Sequence, residues 1–193
     1  MKTAFLGGIF LTLLFACISI ALPAQVNFIA EEINFCLSKN HFSVEGYYHF
    51  RNNSTTAVSR LLFYPFPLDS CYGEVTDIKA VMIEGDSTSI LLDHHTNGLS
   101  FTISILPGET AVYLLAYVQE LRCNRAEYIL TTTRSWKKPL ENVDYRLTVS
   151  QDIIVDSLSI LPDSISVSET ERQFYWHRKN FFPDRNFIVF FNR

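Results

Sequence analysis

Apolar and polar residues alternate through most of this chain, most densely in Ile103–Leu121. Two apolar runs flank Leu106-Pro107-Gly108-Glu109, where proline presets φ and the following glycine accepts the positive φ of a type II turn. In the second run Val112, Leu114, Ala116 and Val118 fall on one side, and Ala111, Tyr113, Leu115, Tyr117 and Gln119 on the other. Bulk on both faces predicts a central strand of a packed β structure.

The same period organises the rest. Asn27–Ser38 places Ile29, Glu31, Ile33, Phe35 and Leu37 on one face, and Lys39-Asn40 makes a short turn. His41–Arg51 then alternates again, with Phe42, Val44, Gly46, Tyr48 and Phe50 opposite the side that carries His41, Glu45 and His49. The pair predicts a hairpin with its apolar face buried and its histidine face wet. Val58–Tyr64 ends at Pro65, which cannot donate to a ladder. Val75–Glu84, a Gly85-Asp86 turn, Ser89–His94, an Asn97-Gly98 turn and Leu99–Ile105 lead into the central stretch. Beyond it lie Glu127–Thr133, a break at Trp136-Lys137-Lys138-Pro139, and Val143–Val149. Ile153–Leu161, Ser164–Val167, Gln173–His177 and Asn186–Phe191 complete the chain. No window of ten or more residues past the N-terminal run keeps a helical period. The expectation is an all-β fold, an antiparallel β-sandwich of about ten or eleven strands.

The N-terminus follows a different rule. Lys2 precedes the apolar run Ala4–Ile20, then Pro23 and the small residue Ala24. This is the pattern of a cleaved signal peptide over residues 1–24, leaving a single β-sandwich domain over residues 25–193. Leu14-Phe15-Ala16-Cys17 resembles a lipobox, so a chain acylated at Cys17 is the alternative product, although apolar residues follow Cys17 where a polar tether is usual. Either product is exported: secreted, periplasmic, at the cell surface, or lipid-anchored at Cys17.

Composition narrows the partners. The formal net charge is −4, one unit more negative without Lys2, and no basic block occurs. That excludes nucleic acid as an expected partner, and contact with a membrane is expected only through a lipid anchor. A protein or glycan partner remains. Export permits a disulfide, and Cys71 and Cys123 both sit in polar, loop-like segments, so they form the candidate bridge. Cys36 lies within an apolar alternation and is expected to be a small buried hydrophobe; the alternative leaves all three thiols free. Arg51–Thr56 is a loop carrying overlapping glycosylation sequons at Asn52 and Asn53, relevant only in a source that glycosylates them.

Candidate chemistry is sparse. The sequence has no GxSxG, HExxH, P-loop, GxGxxG or calcium-loop pattern, and no cysteine/histidine spacing suited to zinc. Asp93-His94-His95 would send adjacent side chains to opposite faces of a strand, as would Glu31-Glu32. His41, Glu45 and His49 share a face but stand about 13 Å apart from each to the next along the strand, too far for one ion. Sixteen Phe, nine Tyr and two Trp are expected mainly in the core, with Trp136 or Trp176 capping one end. The reading is therefore a non-enzyme without catalytic, metal or cofactor-binding residues and without a cofactor.

One resemblance adds to this. VEGYYHFRNNSTTAVSRLLFYPFP (Val44–Pro67), LPGETAVYLLAYVQ (Leu106–Gln119) and TTTRSWKKPLENVDYRLTVS (Thr131–Ser150) are similar, in the same order along the chain, to segments of the N-terminal β domain of zinc aminopeptidases of the aminopeptidase-N type. TTTRSW together with WHRKNFFPDRNFIVFF (Trp176–Phe191) also resembles small exported β domains of unknown function. The aminopeptidases carry their catalytic zinc motif in a separate domain, so the likeness implies the supporting β-sandwich without the chemistry. An exported protein that acts by binding or assembly at the bacterial envelope or cell surface is the leading expectation; a structural or accessory subunit of an envelope complex is the alternative, and an enzyme with an unrecognised site comes last.

Overall fold

The computed structural model describes residues 26–83 and 88–193. The expected leader, Cys17 and the Gly85-Asp86 turn lie outside them. The described residues form fourteen strands. The first eight are β1 (Val26–Leu37), β2 (His41–Asn52), β3 (Val58–Pro65), β4 (Tyr72–Ile83), β5 (Thr88–Ser89), β6 (Asp93–His95), β7 (Gly98–Ile105) and β8 (Thr110–Leu121). After β9 (Arg125–Tyr128) a 3₁₀ helix spans Thr131–Trp136, and β10 (Leu140–Ser150), β11 (Ile154–Leu158), β12 (Ser164–Val167), β13 (Glu171–Phe181) and β14 (Phe187–Asn192) follow. No described helix is long and apolar enough to cross a membrane.

Eight strands make one sheet in the order β12-β13-β10-β1-β2-β8-β4-β5. Two three-stranded sheets, β11-β14-β9 and β3-β7-β6, stand apart from it. Strand β8 is hydrogen-bonded on both sides, to β2 and β4, as its two-faced apolar pattern predicts. Gly108 takes φ +72°, and the Glu109 amide donates to the Leu106 carbonyl at 3.2 Å, closing the Pro-Gly turn. The β1–β2 hairpin closes through the Ser38 amide and the His41 carbonyl at 3.0 Å.

The alternation sends Ile33, Phe35 and Leu37 of β1 to the same buried face as Phe42, Val44 and Tyr48 of β2 and Leu115 and Tyr117 of β8. Both small sheets pack on that face. Phe35 stacks on Phe187 of β14 at 4.5 Å between ring centroids, and Tyr48 meets Tyr64 of β3 edge-on at 5.8 Å. Aromatic pairs at such distances add to the stabilisation from area burial.

Four expectations need correction. The sheet is not wholly antiparallel: β10 runs parallel to β1, with Ala30 opposite Asn142 and Leu37 opposite Val149. The hairpin fills the other edge of β1, and a long excursion through β3–β9 returns the chain in the original direction, as a parallel pair requires. The strand count also exceeds ten or eleven, because stretches such as Ser89–His94 divide into separate short strands.

Third, Glu127–Thr133 does not continue as a strand past Tyr128. The Asn186 side-chain oxygen accepts from the Thr131 amide at 3.2 Å and the Thr131 hydroxyl at 2.9 Å, and the Thr133 amide turns back to the Leu130 carbonyl. Side chain–backbone bonds of this kind outcompete the strand preference of three threonines.

Fourth, Cys36 is exposed. Its neighbours Phe35 and Leu37 take the core positions, so strict alternation puts the thiol on the outer face. Cys71 and Cys123 are joined in a disulfide, with Cα atoms 4.8 Å apart.

Asn52 is fully buried, and its amide reaches the carbonyls of Thr56, Ile105 and Leu106 at 2.8–3.1 Å. It locks the sequon loop to the Pro-Gly turn, which leaves Asn53 as the exposed sequon asparagine.

Candidate functional site

A cavity of ≈ 310 Å³ opens where β3 and the 3₁₀ helix overlie β1 and β2. Its shape begins with an irregularity in β1. Phe28 pairs with Phe50 and Ala30 with His49, so Ile29 is the extra residue of a bulge. Phe28, rather than Ile29, therefore shares the inner face with Phe50, and the two rings stack at 4.9 Å. Trp136, from the last position of the 3₁₀ helix, closes the corner at 5.9 Å from Phe28 and 5.5 Å from Phe50. The Arg60 guanidinium lies 4.1 Å above the Trp136 ring, and Arg60 itself is exposed. A cation over an indole face is held by the ring quadrupole.

The deep side is polar. Glu31 lines the cavity and is fully buried, as its place between Phe28 and Ile33 on the inward face dictates. One carboxyl oxygen, Oε1, accepts from the Tyr145 hydroxyl; the other, Oε2, has no hydrogen-bond partner. Burial raises its pKa from 4.5 to about 7, against a smaller opposing effect of the Tyr145 bond. An apolar environment disfavours the ionised form, and no cation is paired with it among the described residues.

Three further hydroxyls meet beside it, one from each sheet. Tyr48 of β2 bonds to Tyr64 of β3 at 2.9 Å and to Tyr128 of β9 at 3.1 Å. Burial pushes all three phenols up, so they stay neutral at any physiological pH. Gly46 makes this knot feasible, because a Cβ there would stand 2.3 Å from the Tyr48 oxygen.

The other sequence candidates do not converge. Asp93-His94-His95 forms exposed β6, where His95 Nε2 meets the Ser100 hydroxyl at 2.9 Å. On the outer face of the large sheet His49 pairs with Glu32 at 3.3 Å, rather than with His41 or Glu45. No group of three His, Cys, Asp or Glu is placed to hold a metal among the described residues. His177 and Asp144 meet at 2.7 Å in a shallow outer depression that Ser164 also lines. They are direct cross-strand partners of β13 and β10, and their side chains are 57% and 56% exposed. Sheet register explains this pair, and solvent screens it.

Trp136 half-fulfils the capping expectation by closing the cavity, whereas Trp176 is core and donates to the Ile160 carbonyl at 3.1 Å. The sequence held one overlooked signal: an acid, Glu31, at an inward position of an otherwise apolar face. The convergence of Tyr48, Tyr64 and Tyr128 had none, since they come from three sheets.

Comparison with known proteins places this architecture. Residues 116–190, under half of the chain, match a family described as a domain of unknown function (DUF4424). No curated protein matches. A Legionella pneumophila structure described as a "putative nutrient binding protein" superposes with a TM-score of 0.68 at 14% identity, covering 88% of this chain and 67% of its own. An M1 zinc metallopeptidase from Deinococcus radiodurans superposes at 0.52 and 11% identity, covering 86% of this chain but only 42% of the peptidase. At these identities the likeness is one of fold alone. The resemblance to zinc aminopeptidases therefore holds at that level, and the chain spans about two-fifths of the peptidase.

Proposed function

We propose that this chain is a non-catalytic β-sandwich domain, exported to the bacterial envelope or cell surface, that binds a small, mainly apolar ligand. The observation that carries this reading is the aromatic cavity with a buried, half-partnered carboxyl group at its base. Its volume is at the lower end for small-molecule sites, and the mix of apolar wall with a few polar groups is typical of them. The lining supplies Glu31 and hydroxyl groups but no histidine or cysteine beside a nucleophile, which favours binding over catalysis. A disulfide supports an oxidising compartment. The description of the Legionella protein is consistent with a binding role.

Assembly is the second reading. At the edge of the large sheet β12 exposes Ile165 and Val167, and Leu161 precedes it, an apolar edge of the kind a partner strand covers.

Ligand-observed NMR with a panel of small aromatic and aliphatic compounds tests the binding reading. Compounds bind the native chain and are lost with Thr132→Trp, which fills the mouth from an exposed position and leaves the melting temperature unchanged. Equal binding to both chains, or none to either, contradicts the cavity as the site.

A further inference from the structure

The cavity is polarised along its depth. At its inner end stands fully buried Glu31, the only acid of the lining among the described residues, with Oε1 engaged by Tyr145 and Oε2 unpartnered. The titratable groups facing it are the phenols of Tyr48 on β2, Tyr64 on β3, Tyr128 on β9 and Tyr145 on β10. All four are held neutral by burial, so none compensates a carboxylate. Among the described residues the one cation of the lining is Arg60, exposed and over Trp136. The rings of Phe28, Phe50 and Trp136 also line the cavity, packed against one another.

These facts restrict the ligand. A buried acceptor without a partner is costly, and a group that donates to it recovers that cost. A charged donor recovers more than a neutral one, because hydrogen bonds between ions are roughly twice as strong as neutral ones. Aromatic faces attract a cation and accommodate apolar carbon, whereas an anion at the inner end would meet the Glu31 carboxylate. We propose that the cavity takes a small organic ammonium compound, its N–H group donating to Glu31 Oε2 and its apolar body resting against Phe28, Phe50 and Trp136.

This inference rests on the binding reading above and deepens it. It also sets a proton balance. The ammonium ion pairs with the ionised carboxyl, so below the Glu31 pKa of about 7 each binding event releases the carboxyl proton to solvent. Affinity then falls about tenfold per pH unit in that range and is level above it.

Isothermal titration of the exported chain with three matched probes is the test: 2-phenylethylamine, 2-phenylethanol and 3-phenylpropanoic acid. At pH 8 the amine binds roughly tenfold or more tightly than the alcohol, and the acid most weakly. Between pH 7 and 5 the amine weakens while the alcohol does not. Glu31→Gln keeps an acceptor for Tyr145, and it reduces the amine-to-alcohol ratio to about twofold or less; a thermal melt shows that it folds. An amine that binds no better than the alcohol, or a ratio that survives Glu31→Gln, overturns the ammonium assignment. Alcohol binding that Thr132→Trp abolishes would then leave the cavity standing as an apolar site. Failure of all three probes refutes the ammonium assignment, and the wider compound panel decides the cavity separately.

Discussion

A Cys71→Ser chain melts about 8–16 °C below the native chain when both are kept oxidised, on a Cys36→Ser background that prevents mispairing. The bridge joins residues separated by 52 positions in sequence, and the lost loop-closure entropy of the unfolded chain is worth about 4 kcal/mol. Its position sharpens the effect. Cys71 immediately precedes β4 and Cys123 follows β8, where Tyr72 and Leu121 pair and the Arg122 amide donates to the Cys71 carbonyl at 2.8 Å. The bond staples the end of a ladder that β-bulges already interrupt between Tyr72 and Val75 and between Thr76 and Lys79. Calorimetry checks this, and a change under 2 °C contradicts a formed bridge.

Glu31→Gln makes the folded chain more stable at pH 8, by up to about 3 kcal/mol, and makes little difference near pH 4. The unfolded carboxyl titrates at 4.5 and the buried one at about 7. Between those values the folded chain holds more protons at this position than the unfolded chain does. Stability therefore declines as pH rises through that window and levels off above it. Glutamine carries no ionisable proton and still accepts from Tyr145, so the variant loses this part of the slope. Asp152, Asp163 and Asp184, which their basic neighbours hold below the usual range, titrate in both chains and cancel in the comparison. Urea unfolding of the two chains at several pH values reads the difference directly. An equal gap at pH 5 and pH 8 contradicts the account.

Much of the large sheet was legible because its signal is local. The Pro-Gly turn and the two-faced run Thr110–Leu121 set β8, and alternation set β1 and β2 with their inner and outer faces. Residues whose fate depends on distant partners were not. The parallel seating of β10 beside β1 joins segments about a hundred residues apart, and nothing in either strand states its direction. Thr131–Thr133 reads as strand by propensity and becomes 3₁₀ because Asn186, far along the chain, captures Thr131. The bulge at Ile29 shifts the inward residue from Ile29 to Phe28, a one-residue displacement that alternation alone cannot locate. Cys36 differs for the opposite reason: its exposure follows from the very alternation that places Phe35 and Leu37 inside.

The candidate site divides in the same way. Glu31 stands on the predicted inner face, and a solitary acid at a buried position is itself a functional signal, independent of any pairing with Glu32. Arg60, Trp136, Tyr64 and Tyr128 come to the same cavity from elements far apart in the sequence, and only the packing against the large sheet brings them within reach.

Everything proposed for function turns on one group, the carboxyl of Glu31 buried without a cation. Carbon-13 NMR of that carboxyl as a function of pH, with Glu31→Gln used to assign the signal, measures it most directly. A midpoint near 7 in the ligand-free chain is the expected result. A midpoint in the ordinary range of exposed carboxylates would mean that Glu31 is solvated or paired, and the site as described would not exist.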